Sequence, residues 1–143
     1  MTDTANATWL HPQSEGIPIL RTSPLTATFW DGCKEGELRY QRCTACQAAI
    51  FNPTHVCRVC TSRELAWEVS AGLGTVYSYT ICHRPMTPQF TDIYAPIIVD
   101  LDEGYQMLSD LVGCSAEDVR VGMRVRVLFH SIGDRTLPYF EPA

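Results

Sequence analysis

The sequence predicts a mainly β protein with an N-terminal helix, a ribbon held together by four cysteines, and a C-terminal five-stranded barrel. Helix signals are concentrated in residues 23–36. Two Cys-x-x-Cys pairs follow within residues 43–60. From residue 70 onward the chain alternates strand patterns with turns. We therefore expect three parts, namely an extended N-terminal arm (1–22), the helix and ribbon (23–69) and the barrel (70–143).

Length and composition agree with one globular domain that carries a small appendage. The chain has 143 residues, of which 45% are hydrophobic and 19% charged. No stretch approaches the ~18 apolar residues of a membrane span, and the polar first residues lack the layout of a signal peptide. We therefore expect a cytoplasmic protein with reduced thiols. The net charge of −5 and the single lysine, Lys34, argue against nucleic-acid binding, which usually needs a basic patch.

The first elements are an arm and a helix. Ser23 is a candidate N-cap, Pro24 suits the first helical position, and Gly36 is placed to end the helix. One apolar stripe is formed by Leu25, Phe29 and Cys33, which lie at positions i, i+4 and i+8. Trp30 lies beside this stripe. Four apolar residues of the arm could attach it to a surface, namely Trp9, Ile17, Ile19 and Leu20.

Two cysteine pairs, separated by ten residues, have the spacing of a metal site formed by Cys43, Cys46, Cys57 and Cys60. Each Cys-x-x-Cys can form a knuckle that points two sulfurs at one ion, and two knuckles complete the closed tetrahedron of structural zinc. Disulfides do not suit the compartment, and a thioredoxin-like motif needs a βαβ setting. Rubredoxin-type iron uses the same ligands and stays open as an alternative. His55 could also replace one cysteine.

Three cysteines remain outside this set: Cys33, Cys82 and Cys114. Cys82 precedes His83, which suggests a Cys–His nucleophile. However, adjacent side chains of a strand point to opposite faces, so these two would not readily meet. We expect all three cysteines to be small buried hydrophobic residues.

The strand patterns predict a ribbon and then a barrel. ELRYQRC enters the ribbon, AIF lies inside it before a turn at Asn52-Pro53, and ELAWEVS leaves it. Glu103-Gly104 predicts a tight hairpin, and Ser115 can cap the single helical turn in SAEDVRVG. Five barrel segments follow one another in the order GLGTVYSYTIC, YAPIIVDLD, EGYQMLSDLVG, MRVRVLFHSI and TLPYFEP. Five strands with a short helix between the third and fourth match an OB-fold barrel.

An ordered set of motifs resembles the DUF35 family, OB-fold proteins with an N-terminal rubredoxin-like zinc ribbon. The resemblance covers about residues 25–142. It rests on FWDG in the helix, the four cysteines, Pro53 two residues after Phe51, GLGTVYSYT, LDEG, and Gly122-Met123 before the fourth barrel strand. It implies one structural zinc ion per chain.

The resemblance also implies a function. Members are generally non-catalytic partners of thiolase-superfamily enzymes, which they bridge or stabilise while helping to bind acyl-CoA. Their settings include acyltransferases, thiolases and retro-aldolases. We therefore expect a hetero-oligomer, no catalytic residue in this chain, and no activity of the chain alone.

Candidate residues for such a subunit lie in the long loop, the ribbon and the helix. The loop of residues 83–96 is long for a hairpin connection, and long loops are often functional. For acyl-CoA we predict Arg84, Phe90 and Tyr94, with Arg58 as a second phosphate candidate. For the partner interface we predict Leu25, Phe29 and Trp30. Each prediction has a purely structural alternative. The loop could simply pack over the barrel mouth, the arginines could simply be solvated, and the helix stripe could simply pack on the barrel.

Two other functions remain open as alternatives. OB folds and zinc ribbons both bind nucleic acids, and five aromatic residues could stack bases, namely Tyr77, Tyr79, Phe90, Tyr94 and Tyr105. A thiol enzyme would use Cys82 or Cys114.

Overall fold

The structure is a computed structural model that describes residues 8–14, 16–18, 21–84, 87–90 and 92–143. The chain forms α1 (Ala27–Glu35), β1 (Arg39–Cys43), β2 (Ala49–Ile50), β3 (Leu65–Val69), β4 (Leu73–Tyr79), β5 (Ala95–Leu101), β6 (Gln106–Leu111), a 3-10 turn (Ala116–Asp118), β7 (Arg124–Ile132) and β8 (Arg135–Pro142). Among these described segments, none is a helix long and apolar enough to span a membrane. The mainly β fold predicted from the sequence is confirmed.

The ribbon is a three-stranded antiparallel sheet in the order β2-β1-β3. The central strand pairs on both sides, so that Gln41 lies opposite Ile50 on one side and Trp67 on the other. Both chain segments that carry a Cys-x-x-Cys pair adjoin this sheet, because β1 ends at Cys43 and β3 begins five residues after Cys60. The sheet therefore brings the two pairs to the same end of the ribbon.

The barrel is closed, with strand order β4-β5-β6-β8-β7. Its pairs are antiparallel except β6 with β8, which run parallel where Leu111 meets Phe140. The 3-10 turn lies between the third and fourth barrel strands, as the sequence predicts, and its Ser115 hydroxyl accepts a hydrogen bond from the Glu117 N–H at 3.4 Å. The predicted five-stranded OB-type order is confirmed.

The barrel core follows the two-residue period of the strands. Every second residue of β5 is buried, namely Ala95, Ile97, Val99 and Leu101. β7 follows the pattern less completely, because Val125 is buried while Val127 and Phe129 are half-buried. Beyond Arg126, β7 is paired only with β8, so its outer half receives less cover from the barrel.

The start of α1 differs from the prediction. Ser23 does not cap the helix, because residues 24–26 form a turn and the helix begins at Ala27. Two reciprocal bonds stabilise this turn: the Ser23 N–H donates to Thr26 Oγ1 at 3.0 Å, and the Thr26 N–H donates to Ser23 Oγ at 3.3 Å. Leu25 consequently precedes the helix. The predicted end is confirmed, since Gly36 has a left-handed φ of 77°.

The arm is attached differently from the prediction. Trp9 is 42% exposed, whereas its neighbour Leu10 is 1% exposed and belongs to the core. The Leu10 N–H donates to the Cys114 carbonyl, and the Gly113 N–H donates to the Leu10 carbonyl, each at 2.9 Å. Strand-like pairing therefore buries Leu10 rather than the larger Trp9. Of the other three proposed anchors, Ile17 is half-buried, while Ile19 and Leu20 lie outside the described residues.

An aromatic stack joins the ribbon to the barrel. The Phe51 ring of the ribbon stacks on the Tyr105 ring of the barrel at 5.4 Å, and Tyr40 stacks on Tyr105 at 4.9 Å. Phe29 of α1 meets Phe51 edge to face at 5.4 Å. Helix, ribbon and barrel thus share one apolar cluster, which positions the ribbon turn against the barrel wall.

Candidate functional site

The four ribbon cysteines converge, with all four sulfur atoms within 4.8 Å of one another. The Sγ atoms of Cys43 and Cys60 lie 3.6 Å apart, and those of Cys46 and Cys57 lie 3.7 Å apart. Sulfurs placed ~2.3 Å from a tetrahedral zinc ion are about 3.8 Å from each other. The cysteine spacing thus fits a closed four-thiolate zinc site, which leaves no position open for a substrate.

Both knuckles use the same backbone geometry. The Gln47 N–H donates to the Cys43 carbonyl at 2.8 Å, and the Thr61 N–H donates to the Cys57 carbonyl at 3.0 Å. Gln47 and Thr61 each follow the second cysteine of a pair and have left-handed φ values of 67° and 64°. This conformation is uncommon for residues other than glycine. Its repetition after both pairs indicates that each turn is shaped to direct two sulfurs at one ion.

The backbone also stabilises the thiolate form of one ligand. N–H groups of Cys60 and Val59 directed at the Cys57 sulfur lower the pKa of this thiol to about 7. The Val59 nitrogen lies 3.4 Å from the Cys57 Sγ. Because the thiolate is the form that binds metal, these donors favour the metal-binding form of Cys57.

The remaining cysteines lie outside this cluster. Burial raises the pKa of Cys33 to about 12, and burial also raises the pKa of Cys114, with Asp118 adding to the effect. Both thiols are therefore poor nucleophiles. Cys82 pairs with Tyr94 through backbone hydrogen bonds, while His83 is exposed. His55 is exposed and does not belong to the cysteine cluster.

A largely apolar groove of about 770 Å³ lies beside the ribbon. Its walls come from the arm, from α1, from the ribbon turn at residues 51–53, and from the outer faces of β5, β6 and β8. The apolar lining includes Trp30, Phe51, Phe90, Tyr94, Leu108 and Tyr139. Among the described residues, two charged ones line it, Arg21 from the arm and Asp110 from β6. Parts of the chain that are far apart in sequence thus form a single surface.

Only two of the four residues predicted to bind acyl-CoA line the groove. Phe90 and Tyr94 line the groove, and their ring centres lie 5.2 Å apart. Arg84 is exposed in the long loop and Arg58 is exposed in the ribbon, where its guanidinium donates to the Asn52 carbonyl at 3.1 Å. Neither arginine lines the groove. Met86, which belongs to the same loop, lies outside the described residues.

The three residues predicted for the partner interface differ in burial and in position. Both Phe29 and Trp30 line the groove, but Phe29 is 6% exposed and belongs to the apolar core, whereas Trp30 is half-buried. Leu25 lies in a separate hollow with Trp67 and Arg63. The helical stripe therefore serves the protein's own core through Phe29, and Trp30 remains partly available.

Sequence reasoning missed Arg21 and Asp110, which line the groove. Arg21 lies in the arm, which has no periodic pattern. Asp110 could have been placed on the outer face of the barrel from the alternation in QMLSDL, because Met107 and Leu111 are buried. Burial raises the pKa of Asp110 from 3.8 to about 6. That burial depends on residues of other elements, so no local signal indicates it.

Comparison with known proteins places the chain in a family. Residues 30–66 match the family model "ChsH2, rubredoxin-like zinc ribbon domain", and residues 67–130 match "ChsH2, C-terminal OB-fold domain". A DUF35 domain-containing scaffold protein of Methanocaldococcus jannaschii is 30% identical over 125 residues, which cover 82% of this chain and 85% of that protein. The chain belongs to the DUF35 family. Its four cysteines form the zinc ribbon of that family, and the zinc is structural.

Two further comparisons place this DUF35 chain beside proteins of known complexes. The alpha subunit of 3-oxo-4,17-pregnadiene-20-carboxyl-CoA hydratase from Mycobacterium tuberculosis is 37% identical over 117 residues, which cover 82% of this chain. The chain spans only 37% of the length of that subunit. A chain in the solved structure of the Ltp2-ChsH2(DUF35) aldolase superposes with a TM-score of 0.79 at 31% identity. This superposition covers 87% of this chain and 98% of that one.

Proposed function

We propose that this DUF35 protein is a non-catalytic accessory subunit of a hetero-oligomeric complex that acts on a CoA ester. The observation that carries the proposal is its likeness, over 98% of the other chain, to a chain of the Ltp2-ChsH2(DUF35) aldolase. The name of the hydratase subunit relative also refers to a CoA ester. We propose a thiolase-superfamily enzyme as the partner.

Zinc supports this role by holding the ribbon in shape. Four thiolates satisfy the metal, so it offers no Lewis-acid position to a substrate. The ribbon turn at residues 51–53 contributes a wall of the groove and stacks on the barrel through Phe51. Side chains of the protein therefore make the binding contacts, and the metal holds the ribbon turn at residues 51–53 in position.

The chain would help to bind the CoA ester through its long loop. Phe90 and Tyr94 offer an aromatic surface for the apolar part of the ester. Arg84 is exposed in the same loop and Arg58 in the ribbon, so either guanidinium is free to reach a phosphate in the complex. Charge-assisted bonds of this kind contribute roughly 1.5–3 kcal/mol each.

The first experiment is purification of the chain from its source cells, with identification of the proteins that accompany it. A stoichiometric thiolase-superfamily enzyme supports the proposal. Recovery of the chain by itself, with turnover of a CoA ester by that preparation, would contradict it. The reconstituted complex then allows the two arginines to be tested.

The second experiment measures acyl-CoA affinity of the complex after Arg84→Ala or Arg58→Ala. Loss of one phosphate contact should weaken affinity by about 10- to 150-fold. Arg120→Ala is the matched control, because Arg120 is exposed on another part of the barrel and does not line the groove. If both test variants bind the ester as the parent does, the chain supports its partner without touching the phosphates.

A further inference from the structure

Asp110 is a carboxylate held in apolar surroundings. It lies on the outer face of β6 opposite Pro96 of β5, and it lines the groove together with Tyr94 and Tyr139. In the part of the chain that the structure describes, no ion pair and no side-chain hydrogen bond reaches its carboxyl group. The pKa of Asp110 is raised to about 6 by burial alone, which agrees with this lack of partners.

A carboxylate in this position is costly to the isolated chain. At neutral pH it carries a charge, and a partly desolvated charge without a counter-ion destabilises a folded protein. Arg21 lines the same groove but is exposed and forms no ion pair with Asp110 in the described residues. The groove therefore lacks a positive charge at its acidic position. The whole chain, with a net charge of −5, also favours a basic partner.

The shape of the surface around Leu108 favours a polypeptide over a small molecule. The groove continues across Leu108, which is 68% exposed, into a second hollow of about 370 Å³ lined by Phe51, Ile98 and Gln106. A small ligand is usually enclosed on most sides, whereas this apolar surface is open and extended. Aromatic side chains are enriched in protein interfaces, and a charge pair that becomes fully desolvated there can act as an anchor.

We propose that the part of this groove formed by Trp30, Leu108 and Asp110 is the docking surface for a segment of the partner enzyme that places a lysine or arginine against Asp110. Phe90 and Tyr94 of the long loop remain available to the ester. The inference rests on the proposed function, because the complex supplies the segment. It adds a location and an electrostatic anchor for the contact. Asp110 binds the partner and takes no part in the chemistry.

The test compares the affinity of the partner enzyme for the full chain and for two variants. Asp110→Asn keeps the shape of the side chain but removes the charge, and it should weaken assembly at least about 30-fold. Its control is Asp134→Asn, since the Asp134 side chain is 87% exposed in the turn after β7. Leu108→Ser should also weaken assembly. Its control is Val121→Ser, because Val121 is 65% exposed outside the groove.

Each outcome has a defined meaning. Weaker assembly of both groove variants, with unchanged controls and unchanged circular dichroism, supports the proposal. Normal assembly of both groove variants overturns it. Normal assembly with reduced acyl-CoA affinity also overturns it, because the part of the groove at Leu108 and Asp110 would then hold the ester. If the parent chain forms no complex at all, the proposed function has failed before this inference is reached.

Discussion

The Sγ atoms of Cys43 and Cys60 lie 3.6 Å apart, although these cysteines belong to different pairs and are separated by 17 positions in the chain. Cys46 and Cys57 approach each other in the same way at 3.7 Å. Each contact joins one knuckle to the other, so an ion held here ties β1 to the segment that precedes β3. A bound metal thus cross-links the two knuckles at one end of the ribbon.

Purified protein should contain one zinc ion per chain, and Cys57→Ser should lose it. A bound structural zinc contributes roughly 10–16 kcal/mol of apparent binding energy to a small ribbon, so the variant should unfold or express poorly. Elemental analysis and thermal melting measure both effects. Cys82→Ser is the control, because Cys82 lies outside the four-cysteine cluster. Zinc-free parent protein with an unchanged melting profile would refute the prediction.

Cobalt placed at the site should report a closed four-thiolate centre. We expect the charge-transfer spectrum of four thiolates in the cobalt form, and we expect acyl-CoA to leave it unchanged because no ligand position is open. The measurement is best made on the reconstituted complex, with the cobalt-loaded chain alone as control. A spectral change on addition of the ester would show that the metal takes part in substrate binding.

Phe51→Ala should destabilise the protein by about 3 kcal/mol. The ring contacts both Phe29 and Tyr105, but it is only half-buried, so the expected cost is at the lower end for a phenylalanine truncation. Urea unfolding measures the change. Val59→Ala, at a ribbon residue that is 73% exposed, should have little effect. Equal stability of the two variants would mean that the stack does not couple ribbon and barrel.

Trp30→Ala should reduce assembly with the partner while the fold stays intact. Its ring is half-buried and faces the groove, and truncating an aromatic interface anchor can cost ~2 kcal/mol or more of binding. Phe29→Ala is the informative comparison, because Phe29 is buried and its loss should lower stability instead. Unfolding of the Trp30 variant would assign this residue to the core and remove it from the interface.

Asp110→Asn should stabilise the isolated chain at neutral pH. A folded-state pKa raised from 3.8 to about 6 means that the folded chain binds the proton more tightly than the unfolded chain. Stability supplied by this proton is present below about pH 4 and is lost as pH rises to about 6. At pH 7 the variant should therefore gain up to about 3 kcal/mol.

This gain should vanish when unfolding is measured near pH 3, where Asp110 is protonated in both the folded and the unfolded chain. Asp134→Asn should change stability at neither pH, since its side chain is 87% exposed. An Asp110→Asn variant that is no more stable than the parent at pH 7 would show that the carboxylate already has a favourable partner. A variant that is more stable alone but weaker in assembly would identify a residue kept for binding.

Several features could be predicted from the sequence because neighbouring residues produce them. The spacing within each Cys-x-x-Cys pair sets the knuckle geometry, so the four metal ligands follow from the order of residues alone. Gly36 ends the helix and Ser115 caps the 3-10 turn through bonds to residues only a few positions away. Strand alternation likewise predicts which side of β5 is buried, because its two-residue period is a property of extended backbone.

Other features were decided by contacts between distant parts of the chain. Leu10 becomes an anchor only because its backbone pairs with residues 113–114. Local propensity could not rank Leu10 above Trp9, since that choice depends on which surface the arm meets.

The groove depends entirely on contacts between distant parts of the chain. The sequence by itself determined a zinc ribbon, a five-stranded barrel and a long loop with Phe90 and Tyr94. It did not bring these rings beside Trp30 and Asp110, which come from α1 and β6. Burial of the Asp110 carboxyl is a sum of contacts made by several elements, and the desolvation that raises its pKa exists only after they pack.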